Sequence, residues 1–125
     1  MKETADAAPP TTAQLAELKA IMIAKRDELR AKGRNVQRRI SEGRENQAED
    51  MDAASDASED AESFGIAAQD QTTLGLIERA LRKMELNTYG FSEESEEPIG
   101  YPRLRAVPWA RRTVQEEEMR ERKRR

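Results

Sequence analysis

At 125 residues the chain is long enough for one compact domain or two small pieces. Charged residues make up 38% and hydrophobic ones 36%, with five aromatics in all, which is thin for a globular core and suits long exposed helices. Twenty-two basic against 25 acidic residues give a net charge of −3, so no global field draws nucleic acid, and the absence of Cys and His removes the commonest zinc ligands and catalytic bases.

Residues 1–10 are small and polar and end in Pro9-Pro10, which predicts a disordered arm. Thr11-Thr12-Ala13-Gln14 is a capping-box pattern: a Thr oxygen accepts an orphan helix N–H while the Gln reaches back. Behind it Leu15, Met22, Leu29 and Val36 recur every seven residues, with Leu18 in the neighbouring position, as a coiled-coil seam requires. This predicts a first helix over about 12–47, weakened at Gly33 and Gly43. Leu74, Ile77, Leu81 and Met84, preceded by Phe64 and Ala67, predict a second helix over about 58–87 that ends at Asn87, Tyr89 and Gly90. Neither stripe can be buried by its own helix. The expectation is therefore an antiparallel helical hairpin over 11–88.

The turn of that hairpin falls near 48–60. Charge is segregated along it. Lys19 to Arg39 hold eight bases against Asp27 and Glu28, whereas Glu42 to Glu62 hold nine acids against Arg44. An acidic point on a basic shaft looks built to reach a partner, although acids this dense also occur in plain solvated loops.

In 89–125, Tyr89, Phe91, Tyr101 and Trp109 join Ile99, Leu104 and Val107 in a prospective small core made irregular by Pro98, Pro102 and Pro108. A glycine-bearing hairpin is expected at "EEPIGYPRL". "VQEEEMRERKRR" reads as a final helix, with acids at its start and bases at its end. Ser92 and Ser95 stand at the C-x-x-C interval, and Thr113 and Glu116 repeat it, so the segment has a zinc-ribbon frame without zinc ligands. Hydroxyls and one carboxylate cannot hold that ion. No EF-hand spacing serves the acidic turn, no nucleophile elbow or phosphate loop is present, and no apolar run approaches a membrane span. The expectations are no enzyme, no cofactor, no metal, no membrane and a cytoplasmic location. The glutamates interleaved among the C-terminal bases argue against direct sequence-specific nucleic-acid binding.

The order of parts resembles the DksA/TraR family of bacterial RNA polymerase regulators: helical hairpin, Y-G turn, C-x-x-C, "IG…RLxAxP", then a second C-x-x-C opening a C-terminal helix. Here it reads "YGFSEES", "IGYPRLRAVP" and "TVQE", with the four cysteine positions taken by Ser92, Ser95, Thr113 and Glu116. The resemblance implies a mainly α protein with a long antiparallel hairpin, a small metal-free zinc-ribbon-like globule and a C-terminal helix. It further implies a monomer that binds RNA polymerase and inserts its tip into the secondary channel. The family's D-x-x-D-x-A tip falls on Glu49, Asp52 and Ala54. The basic positions with which some members bind guanosine tetraphosphate fall on Leu76, Val107 and Glu117, so that site looks lost. A coiled-coil adaptor for another protein is the alternative.

Overall fold

A computed structural model describes the backbone of residues 8–49 and 57–124, and the side chains of 8–43 and 65–124. Among the described residues four helices follow in order: α1 (Thr12–Glu49), α2 (Ala57–Glu85), α3 (Tyr101–Ala106) and α4 (Val114–Arg124). The fold is mainly α, as expected. Among the described residues the only β pairing is an isolated antiparallel bridge between Phe91 and Pro98.

The ends of the long helices follow local chemistry. Thr11 and Gln14 form the reciprocal box that opens α1: the Thr11 N–H donates to Gln14 Oε1 at 2.9 Å, and the Gln14 N–H donates to Thr11 Oγ1 at 3.2 Å. At the end of α2 the chain turns left-handed at Asn87, φ 60°. The Thr88 N–H reaches Lys83 O at 2.9 Å and the Asn87 N–H reaches Met84 O at 3.3 Å, the double closure that satisfies orphan carbonyls at a helix C-terminus. Asparagine is one of the few non-glycine residues that takes this conformation readily.

The described residues form two compact units, one of 8–24 with 76–124 and one of 25–49 with 57–75. In the first, Leu18, Met22, Ile77, Ala80, Tyr89, Ile99 and Leu104 are buried. Pro9 and Pro10, the end of the expected arm, are placed here: Pro10 packs over Gly90 so closely that a Cβ on Gly90 would lie 2.9 Å from Pro10 Cδ. Gly90 also sits at φ 95°, so both backbone and space call for glycine. In the second unit Leu29 and Leu74 are buried, while Val36, Ile40 and Ala67 are half-buried. Residues 1–7 and 50–56 lie outside the described residues.

One expectation is corrected. The hairpin does not lie at "EEPIGYPRL". The paired segments are 90–92 and 97–99, tied by Ser92 N to Glu97 O and by Ile99 N to Gly90 O, each 2.8 Å. Glu96 at φ 64° makes the tight return. "YPRL" instead opens helix α3, with Gly100 at φ 97° before it and Pro102 in its first turn. A proline there removes an N–H that would have no helical acceptor anyway, so it is a starter rather than a breaker.

Candidate functional site

The four positions with the cysteine interval come together in the first unit. Ser92 is 3% and Thr113 8% exposed. Ser92 Oγ donates to Glu116 Oε1 at 2.5 Å. The same Oγ accepts the N–H groups of Glu94 at 3.1 Å and Ser95 at 3.3 Å. Glu116 Oε1 also accepts the Thr113 N–H at 2.9 Å, and the Glu116 N–H returns to Thr113 Oγ1 at 3.2 Å. Thr113 and Glu116 thus form a second capping box, which starts α4 as Thr11 and Gln14 start α1. Burial works to raise the Glu116 pKa, but the hydrogen bonds from Ser92, Thr113 and Ser95 outweigh it and hold the carboxyl below its ordinary value.

This arrangement does not fit a zinc ion. Three hydroxyls, of Ser92, Ser95 and Thr113, lie among the converging groups, and the single carboxylate already spends one oxygen on Ser92 and the Thr113 N–H. Among the described residues no group of three or more Asp, Glu, His or Cys side chains is placed to hold a metal. The oxygens instead bond one another and the backbone, linking the 92–95 turn directly to the first turn of α4.

Two neighbouring carboxylates extend the cluster. Glu93, 18% exposed, takes Arg79 Nε at 2.8 Å, Lys83 Nζ at 2.5 Å and Arg111 Nε at 3.1 Å. Partial burial acts to raise its pKa, but three cations overrule that and bring it down to about 2. Glu94 takes Arg112 Nε at 3.2 Å and Arg120 Nη1 at 3.0 Å, while Arg112 also pairs with Glu117 at 3.0 Å. Tyr89 donates its hydroxyl to Pro108 O at 2.6 Å, and burial pushes the phenol pKa up. The residues between the two serines therefore anchor the turn to α2, to the 111–112 segment and to α4. Sequence reading missed this, although T-x-x-E at 113–116 is the same signal that it used at Thr11.

The tip residues are not brought into view. Glu49 closes α1, but its side chain, and all of Asp52 and Ala54, lie outside the described residues. Of the three positions at which the resemblance implies a lost nucleotide site, Leu76 and Val107 are half-buried and Glu117 is held by Arg112. No helix among the described residues is long and apolar enough to cross a membrane.

Comparison with known proteins gives no matching family model. A curated relative, the RNA polymerase-binding transcription factor DksA of Caulobacter vibrioides (strain NA1000 / CB15N), is 32% identical over 112 residues, which is 90% of this chain and 79% of the relative. General stress protein 16O of Bacillus subtilis (strain 168) is 51% identical over a 39-residue stretch, 31% of this chain and 24% of its own. The structure of transcription factor DksA2 from Pseudomonas aeruginosa has the same fold, with a TM-score of 0.73 at 23% identity over 99% of this chain and 98% of the other. With that extent of identity to a curated relative, the chain belongs to the DksA family, whose members are transcription factors and not enzymes.

Proposed function

We propose that this protein binds RNA polymerase and regulates initiation by inserting its acidic turn, with Glu49, Asp52 and Ala54 at its point, into the secondary channel. The observation that carries this reading is the 32% identity over 112 residues to an RNA polymerase-binding relative. The sequence adds an Asp and an Ala at the second and third positions of the tip pattern, with Glu at the first. Negative charge delivered near an active centre acts strongly where water is scarce. The protein acts as a monomer in the cytoplasm, without sequence-specific contact to nucleic acid. It does not relay guanosine tetraphosphate, because Leu76, Val107 and Glu117 offer no cation to a polyphosphate.

The test is the lifetime of promoter complexes with wild type and Asp52→Asn at equal polymerase occupancy. Asn keeps the size and the capping capacity of Asp but not its charge. The expected result is loss of the effect on initiation with binding nearly intact. Identical lifetimes would remove Asp52 from the site. Failure of the wild type to co-purify with polymerase would favour an adaptor with another partner.

A further inference from the structure

Among the described residues, the one buried side-chain nitrogen or oxygen left without a hydrogen-bond partner is Arg103 Nε. The arginines around it behave otherwise. Arg105, on the same helix α3, meets Glu17 at 3.4 Å, and Arg79, Arg111, Arg112 and Arg120 all reach carboxylates. No described ion pair includes Arg103, although the residue is half-buried. A guanidinium nitrogen that has lost its water and gained no acceptor is costly, so folded proteins leave few such groups unmatched. Arg103 lines a cleft of about 760 Å³ within the first unit, bounded by α3, the start of α4 and the 97–99 segment. Pro98, Pro102, Ala106 and Val114 give the cleft an apolar wall, and Val114 is 39% exposed. Two acids share it. Glu116 is already engaged by Ser92 and Thr113, whereas the exposed Glu97 side chain makes no described hydrogen bond or ion pair.

We infer that this cleft binds a small monocarboxylate with an apolar body, its carboxylate held by the Arg103 guanidinium. The planar fork of a guanidinium matches the two oxygens of a carboxylate. The wall names the rest of the ligand: water alone would serve Nε, but it would leave Pro98, Pro102 and Val114 wet. Glu97 and Glu116 set the charge. A dicarboxylate or a phosphate would bring a second negative charge to a cleft that has two carboxylates and one cation. A volume of about 760 Å³ is that of a small-molecule site. Leu76, Val107 and Glu117 do not line the cleft, so it is distinct from the lost nucleotide positions, and it stands apart from the proposed function.

The experiment titrates the isotope-labelled full chain with sodium isocaproate at constant ionic strength and follows the Arg103 Nε–H and Val114 amide resonances. Both should shift and saturate, with half-saturation at about 1 mM or below. Acetate, which keeps the carboxylate but has almost no apolar body, should bind about tenfold or more weakly. Succinate and inorganic phosphate should not saturate in that range. Arg103→Met keeps the apolar stem and removes the unmatched donor. It should bind isocaproate about tenfold or more weakly, and melt no lower than wild type, because no described bond is lost. Val114→Glu suits the first turn of α4 and sets a like charge against the ligand, so it too should weaken binding. It decides the matter if Arg103→Met fails to fold. Shifts that do not saturate at about ten times the 1 mM level would overturn the inference, leaving water as the partner of Arg103. Unchanged affinity in Val114→Glu or in folded Arg103→Met would overturn it as well. So would succinate, phosphate or acetate binding wild type as tightly as isocaproate does.

Discussion

Ser92 and Glu116 show how oxygen chemistry can link two segments at positions with the C-x-x-C interval. The Ser92 hydroxyl donates once and accepts twice, and Glu116 Oε1 accepts twice. Glu116→Ala would remove the acceptor, leave a buried hydroxyl short of a partner and break the box at the start of α4. The expected loss is about 2 kcal/mol in urea unfolding. Glu116→Gln keeps an acceptor oxygen and should lose less. Glu93 carries the clearest pH signature. Its carboxyl falls from an ordinary 4.5 to about 2 in the folded state, so its contribution is full above pH 4.5 and disappears as pH drops toward 2. The stability gap between wild type and Glu93→Gln should therefore be constant from neutral pH down to about 5 and close below that. A gap that persists unchanged at pH 2 would show that Glu93 acts through packing and not charge.

The long helices were the readable part of this chain, and the reason is periodic burial. A seam repeated every seven residues placed α1 within two residues of its observed end, and Leu74 and Ile77 are buried as the three-and-four spacing requires. The segment between the helices and α4 was less legible. Its structure depends on single residues with unusual backbone angles and on bonds between residues 18 to 26 positions apart, such as Arg111 to Glu93 and Arg120 to Glu94. No periodicity reports these. Ala80, buried on α2, was passed over because a small side chain adds little to an apolar pattern. Two substitutions probe the element ends. Thr11→Ala should cost about 1 kcal/mol by uncapping α1. Gly90→Ala should cost about 1–3 kcal/mol, since it forces a side chain into a left-handed backbone and against Pro10. Denaturant midpoints at constant slope would measure both.

For the protein taken together, the donor set makes one demand on its thermodynamics. No thiolate or imidazole is present, so the expectation is that zinc binding contributes no free energy to folding. The melting temperature should be the same with a strong chelator and with one equivalent of zinc, and elemental analysis should find no stoichiometric zinc. A chelator-induced fall in melting temperature would contradict the reading of Ser92, Ser95, Thr113 and Glu116 as a self-satisfied hydrogen-bonded cluster. That cluster also sets what the protein can survive. Thiolates climb from sulfenic to sulfonic acid under peroxide, and a site built on them lets go of its metal as they do. Hydroxyl and carboxylate oxygens have no such ladder. The only sulfur in this chain belongs to five methionines, of which Met22 is fully buried and Met119 is half exposed on α4. An oxidant that strips the metal from a cysteine-bound globule would find no thiolate to attack in these linking bonds.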